Sequence, residues 1–105
     1  MATRERTYML DLTNAGSRVS IDVSAVNRLS ISTAMASLMG TGVIEIQLAV
    51  NGVPKAFSPA KVLSASVDLV DLDVDGYDEV ILIVATADSS AQEIVVSAYA
   101  EATGF

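Results

Sequence analysis

The tract of residues 71–79 carries the side chains best suited to chemistry. It reads Asp-Leu-Asp-Val-Asp-Gly-Tyr-Asp-Glu, so carboxylates recur at alternate positions before a glycine, and the ninth residue is also acidic. Hard cations such as calcium prefer oxygen ligands, and a glycine permits the tight bend that brings such ligands together. The candidate calcium ligands are therefore Asp71, Asp73, Asp75 and Glu79.

The same tract resembles the calcium loops of integrin-type propeller repeats, which read Asp-x-Asp-x-Asp-Gly-x-x-Asp before an apolar strand. It departs from them at Val74, where glycine is common, and at Glu79, where they have aspartate. A propeller would also need several copies, and the bidentate glutamate of an EF-hand would fall on Leu82. The alternative is a strand and turn in which Val70, Leu72 and Val74 face the core and the aspartates face water. This alternative is the expected one, so we predict no metal site.

The absence of two residue types excludes most catalytic chemistry. The chain has no cysteine and no histidine, which excludes disulfides, thiolate and imidazole metal ligands, cysteine nucleophiles and imidazole-based triads. Thirteen acidic side chains offer many pairs, but sequence spacing does not place two of them across a substrate. We therefore predict a protein that is not an enzyme, with no catalytic residues and no cofactor.

The charge distribution is strongly asymmetric. A net charge of −7 argues against nucleic-acid binding, which depends on clustered lysine and arginine. Residues 1–61 carry all six basic side chains and four acids, whereas residues 62–105 carry the other nine acids and no base. This asymmetry either orients a subunit against a complementary neighbour or provides a solvated acidic face.

Short β-branched segments separated by turn residues dominate the chain. Their spacing of about 8–12 residues is typical of a sandwich or barrel. At 105 residues the chain is long enough for one hydrophobic core. We predict an all-β fold: a single antiparallel β-sandwich of the jelly-roll or Ig-like kind, with seven to eight strands over residues 8–105. Residues 1–7 are expected to form a polar N-terminal arm.

Turn residues indicate where individual strands begin and end. Asn51-Gly52 after the apolar run 43–50 predicts a tight hairpin, because both positions tolerate positive φ. Pro54 and Pro59 predict that the return strand is short and lies at a sheet edge. Residues 79–86 are almost continuously apolar, which predicts a central strand covered on both faces.

Two segments permit more than one interpretation. Residues 63–69 alternate as a strand, with apolar side chains at the odd-numbered positions. From Val70 onward the apolar side chains stand at even-numbered positions, which predicts a bulge or loop near Leu69 and Val70. Residues 34–39 before Gly40 fit a strand or a helical turn ended by glycine, and we expect the strand.

Two stretches of the chain resemble a known family. Residues 44–57 (IEIQLAVNGVPKAF) contain a strand, an Asn-Gly hairpin turn and a returning strand with an aromatic residue. Residues 72–84 (LDVDGYDEVILIV) form the second stretch, which is followed by the closing strand segment 93–101 (EIVVSAYAE). In these features the chain is similar to the small β-sandwich accessory proteins of tailed bacteriophage particles, including head-decoration and head-fibre proteins. The resemblance implies a virion component that assembles with itself and docks on a capsid or tail surface. It implies no catalytic residue.

The resemblance suggests a capsid decoration or cement protein that binds the major capsid protein or another virion protein. A homotrimer is the first guess for its assembly, and Arg4, Arg6 and Tyr8 are candidate interface residues on a neighbour or on the shell. Apolar residues make up 51% of the chain, which is high for a small domain and favours burial against another subunit. The alternatives are a calcium-dependent binding module and a phage tail or baseplate component.

The expected location is the virion, after synthesis in the host cytoplasm. The first residues lack the apolar stretch of a secretory signal. The longest apolar run, residues 80–85, is far shorter than the ~18 residues that a spanning helix needs. We therefore expect neither a signal peptide nor a membrane partner.

Overall fold

The computed structural model describes residues 3–33, 41–64, 67, 69–88 and 93–101, and for residues 3–5, 33 and 93–101 it describes the backbone alone. These ranges contain eight strands and no helix that could cross a membrane. The strands are β1 (Thr3–Asp11), β2 (Arg18–Asp22), β3 (Arg28–Thr33), β4 (Val43–Val50), β5 (Val53–Leu63), β6 (Leu69–Asp73), β7 (Glu79–Thr86) and β8 (Glu93–Glu101).

The strands pair as one long hairpin rolled onto itself. The nested antiparallel pairs are β4 with β5, β3 with β6, β2 with β7 and β1 with β8. Rolling adds two further pairs, β3 with β8 and β4 with β7. The result is two four-stranded sheets with strand orders β1-β8-β3-β6 and β2-β7-β4-β5. This order is the jelly roll, which confirms the predicted β-sandwich and decides between its two expected topologies.

The closed end of the nested hairpin is the predicted Asn51-Gly52 turn. Both residues have positive φ, +52° for Asn51 and +78° for Gly52. Two successive positive φ values are characteristic of the type I′ turn, whose twist matches that of paired strands. The strongest local turn signal in the sequence therefore lies at the centre of the topology.

The core lies between the two sheets and follows the alternation of apolar residues along the strands. In β7 three successive side chains, Val80, Ile81 and Leu82, are buried, so this central strand is covered on both faces as predicted. The buried cluster comprises Leu10, Leu12, Ile21, Val23, Val26, Leu29, Ile31, Ile44, Ile46, Leu48, Leu63, Leu72, Val74, Val80, Leu82 and Val84.

The prediction for β5 was correct in position and wrong in length. The strand lies at a sheet edge, but it runs for 11 residues. Its register with β4 passes from Lys61 opposite Ile46 directly to Ala56 opposite Gln47, so residues 57–60 have no counterpart on β4. Because proline cannot donate to the ladder, pairing is interrupted around Pro59, and the strand then resumes.

The expected strand over residues 63–69 was wrong. β5 ends at Leu63, and beyond it Ser64 and Val67 lie in no strand; the N–H of Ser64 donates to the carbonyl of Val67 at 2.8 Å. β6 then begins at Leu69, in the other sheet, so the phase switch near Leu69 marks the passage between sheets. The ambiguous segment 34–39 lies outside the described residues.

The N-terminal residues belong to the sandwich. Residues 3–7 form the first part of β1 and pair with residues 97–101 of β8. The expected boundary between an arm and the domain therefore falls inside a strand. Pairing satisfies the backbone groups of this polar segment that point toward β8, which residue composition alone did not indicate.

Candidate functional site

The first part of the acidic tract lies on the outer face of one sheet. Asp71 and Asp73 are exposed on β6, and Asp71 accepts a hydrogen bond from the Ser30 hydroxyl on the neighbouring strand β3. Asp73 is paired in register with Arg28. Between the aspartates, Leu72 is buried in the core. The alternation predicted for a strand and turn is therefore present.

A tight turn then carries the chain to the other sheet. The N–H of Tyr77 donates to the carbonyl of Val74 at 3.1 Å, and the Asp75 N–H donates to Oδ1 of Asp73 at 3.2 Å. Gly76 has a φ of +89°, a conformation that favours glycine. The turn thus separates Asp71 and Asp73 on one sheet from Glu79, the first residue of β7, on the other.

The four candidate calcium ligands are consequently not brought to a common point. Sheets stacked face to face lie about 10 Å apart, well beyond the reach of one cation. Among the described residues, no group of three or more aspartate, glutamate, histidine or cysteine side chains is placed to hold a metal ion. The tract acts in this fold as a strand, a turn and the start of the next strand.

Glu79 instead lines an acidic depression on the outside of the second sheet. Its volume is about 410 Å³, and its walls are Ser20, Asp22, Ser24, Asp78 and Glu79. Asp22 lies opposite Glu79 in register. Hydrogen bonds from the N–H and hydroxyl of Ser24, at 3.0 and 2.8 Å, lower the pKa of Asp22 below its usual value, and the charge of Arg6 adds to this effect. Sequence reasoning missed this cluster because its members come from distant segments.

Two of the three predicted interface residues lie side by side on β1. Tyr8 is half-buried and packs against the core, and this burial raises the pKa of its hydroxyl, while its contact with Arg6 acts in the opposite direction. Arg6 is exposed. Arg4 lies on the same strand, but its side chain is outside the described set. Their role at an interface stays a prediction.

A second depression lies where the edge strands of the two sheets meet. β5 and β6 are each the last strand of their sheet. The depression has a volume of about 360 Å³ and is lined by Ala60, Lys61, Val62, Val67, Leu69, Val70 and Asp71. We call this surface the β5–β6 depression.

The β5–β6 depression exposes apolar side chains. Leu69 is 57% exposed and Val67 is 42% exposed. The Lys61 ammonium lies 5.2 Å from the centroid of the Phe57 ring, close enough for a cation–π contact. The depression combines residues from different sheets, so its existence could not be derived from the alternation of single strands.

Comparison with known proteins identifies relatives in fold. No family model matches the sequence, and no curated protein matches it. The SPBc2 prophage-derived protein YomS is similar in structure, with a TM-score of 0.57, 12% identity and coverage of 95% of both chains. A de novo designed double-stranded β-helix matches with a TM-score of 0.54, 13% identity and coverage of 93% of this chain and 99% of that chain.

The same fold also occurs inside a larger enzyme. The IMPa metallopeptidase from Pseudomonas aeruginosa matches with a TM-score of 0.58 and 19% identity, over 95% of this chain and 12% of that chain. At these identities the matches demonstrate a shared fold. The chain therefore has the architecture of a prophage-derived protein over nearly the full length of both.

Proposed function

We propose that this chain is a structural component of a bacteriophage particle without enzymatic activity. In this proposal it is a capsid decoration or cement protein that assembles with itself and docks on the major capsid protein. Support comes from the fold shared with a prophage-derived protein over 95% of each chain and from the resemblance of residues 44–57 and 72–101 to phage accessory proteins.

The observation that carries the proposal is the amount of apolar surface exposed at separate places on the sandwich. Leu69 and Val67 are exposed at the β5–β6 depression, Val53 is 57% exposed beside the hairpin, and Met9 is 56% exposed on β1. Single exposed apolar residues are common, but a contiguous apolar patch beside a strand edge is typical of an interaction surface. A protein that contacts both its own copies and a shell needs more than one such surface.

Sedimentation with phage particles tests the proposal. Particles from a phage whose copy of this gene is deleted are mixed with purified protein and separated on a density gradient. We expect saturable binding at a fixed ratio to the major capsid protein. If the protein stays at the top of the gradient at all concentrations, the proposal is wrong. Separated heads and tails distinguish the alternative location, because binding to tails alone would identify a tail or baseplate component.

A further inference from the structure

We propose that the β5–β6 depression is the contact surface between two copies of this chain related by a two-fold axis. In this arrangement Lys61 of each copy faces Asp71 of the other. The inference deepens the self-assembly part of the proposed function, since it names the surface and the symmetry.

The apolar part of the depression provides the driving force. Leu69 and Val67 expose 57% and 42% of their surface, and Val62 and Val70 beside them are only half-buried. Removing apolar surface from water contributes about 25 cal/mol per Å². A second copy seated on the depression would cover all four side chains together with the same four of its own.

The charged part of the depression determines which partner fits. β5 carries both lysines of the protein, Lys55 and Lys61. β6 carries Asp71 and Asp73 and has no basic residue. The lysine edge and the aspartate edge lie on either side of the same depression. The surface is therefore complementary to a second copy of itself.

The geometry of the two edges favours a two-fold axis. Such an axis through the depression exchanges the edges, so that β5 of each copy faces β6 of the other. Direct pairing of two β6 strands would instead oppose two rows of aspartates, and pairing of two β5 strands would oppose lysines and place Pro59 in the ladder. A surface that contains both complementary halves closes as a dimer, which differs from the trimer first expected.

Sedimentation equilibrium of the full chain at micromolar concentrations tests the inference. We expect a dimer, and we expect Leu69→Ser to weaken dimerisation by at least about tenfold, because about 1.4 kcal/mol of lost burial has that effect. Met9→Ser is the matched control, since Met9 is 56% exposed and Leu69 is 57% exposed. The control should leave the dissociation constant unchanged. A monomeric or trimeric wild type, or equal effects of the two variants, would overturn the inference.

Charge reversal supplies a second test that does not depend on apolar contact. Lys61→Asp and Asp71→Lys should each weaken the dimer several-fold, and the weakening should diminish at high salt. The double variant should recover most of the affinity because the pair is restored with opposite polarity. Failure of the double variant to recover would contradict the pairing. A trimer that binds phage particles would refute this inference alone, whereas a dimer that does not bind them would refute only the proposed docking on the capsid.

Discussion

The carboxylate of Asp78 accepts a hydrogen bond from the backbone N–H of Asn51, with 2.7 Å between Oδ2 and the nitrogen. The Asp78 N–H in turn donates to the carbonyl of Ala49 at 2.9 Å. The last loop aspartate of the acidic tract is thus attached to the hairpin that closes the nested strand pairs. Two motifs 27 residues apart in sequence form one structural unit at this end of the sandwich.

Removal of the Asp78 carboxylate should destabilise the hairpin. We expect Asp78→Ala to lower the free energy of unfolding by roughly 1–2 kcal/mol, because a charge-assisted hydrogen bond to a backbone donor is lost. Asp78→Asn should lose less, since its amide oxygen still accepts. Urea denaturation measures the differences. Asp75→Ala in the neighbouring turn is the control, and an equal loss in both alanine variants would contradict the prediction.

Two leucines on β6 should lose very different amounts of stability when they are truncated. Leu72 is 3% exposed and Leu69 is 57% exposed on the same strand. Leu72→Ala should cost about 2–5 kcal/mol of stability because it leaves a cavity in the core. Leu69→Ala should cost less than about 0.5 kcal/mol in the monomer. Thermal or chemical denaturation at concentrations low enough to keep the protein monomeric distinguishes the two variants. Similar losses would mean that the strand is oriented differently.

A substitution in the type I′ turn tests the energetic cost of backbone conformation separately from side-chain contacts. A Cβ added at Gly52 would meet no atom within 4 Å, so Gly52→Ala tests only the cost of its φ of +78°. We expect a loss of about 1–2 kcal/mol. Asn51→Gly is the control, because glycine adopts positive φ without penalty, and it should change stability little. Stability equal to wild type in Gly52→Ala would show that the turn can adopt another form.

Calcium should have no effect on stability. The candidate ligands Asp71, Asp73 and Glu79 lie on two different sheets, so calcium would gain no multidentate site from them. We expect the melting temperature to be the same in millimolar calcium and in chelator. A rise with calcium would reveal preferential binding to the native state and would restore the calcium-dependent module as a candidate function.

Acid should weaken the fold through two aspartates whose pKa values are depressed. Hydrogen bonds from the Thr13 hydroxyl and N–H lower the pKa of Asp11, and those from the Ser24 N–H and hydroxyl lower the pKa of Asp22, both from a usual value of 3.8. Their stabilising contribution is present above the unfolded-state pKa and is lost as pH falls through the lower folded-state value. The melting temperature should therefore fall below about pH 4.

Carboxyl NMR titration locates the cause of this acid sensitivity. In the native protein Asp11 should titrate below 3.8, the usual value. Thr13→Ala removes the hydroxyl that donates to Asp11 at 2.6 Å, so the Asp11 pKa should rise. The pKa of Asp22 should not respond to this substitution, since its donors belong to Ser24. An unchanged Asp11 pKa in Thr13→Ala would contradict the assignment.

Local patterns predicted a large part of the fold. The nearly continuous apolar run of residues 79–86 identified the central strand around Leu82, and Asn51-Gly52 identified the hairpin, because local hydrophobicity and positive φ are properties of neighbouring residues. The same reasoning predicted the inward Leu72 and outward Asp71 and Asp73. Local patterns were less successful at β5, where they correctly predicted the edge position but not the resumption of pairing after Pro59.

The sequence by itself determined the all-β class, the faces of the strands and the position of the central turn. Tertiary structure alone decided which strands are neighbours, because that choice depends on how the long hairpin rolls and how both sheets cover one core. It separated Asp71 from Glu79, attached Asp78 to Asn51, and placed Lys61 of one sheet beside Leu69 and Asp71 of the other. Contacts between distant segments arise from the packing of whole sheets, and no spacing within a short stretch encodes them.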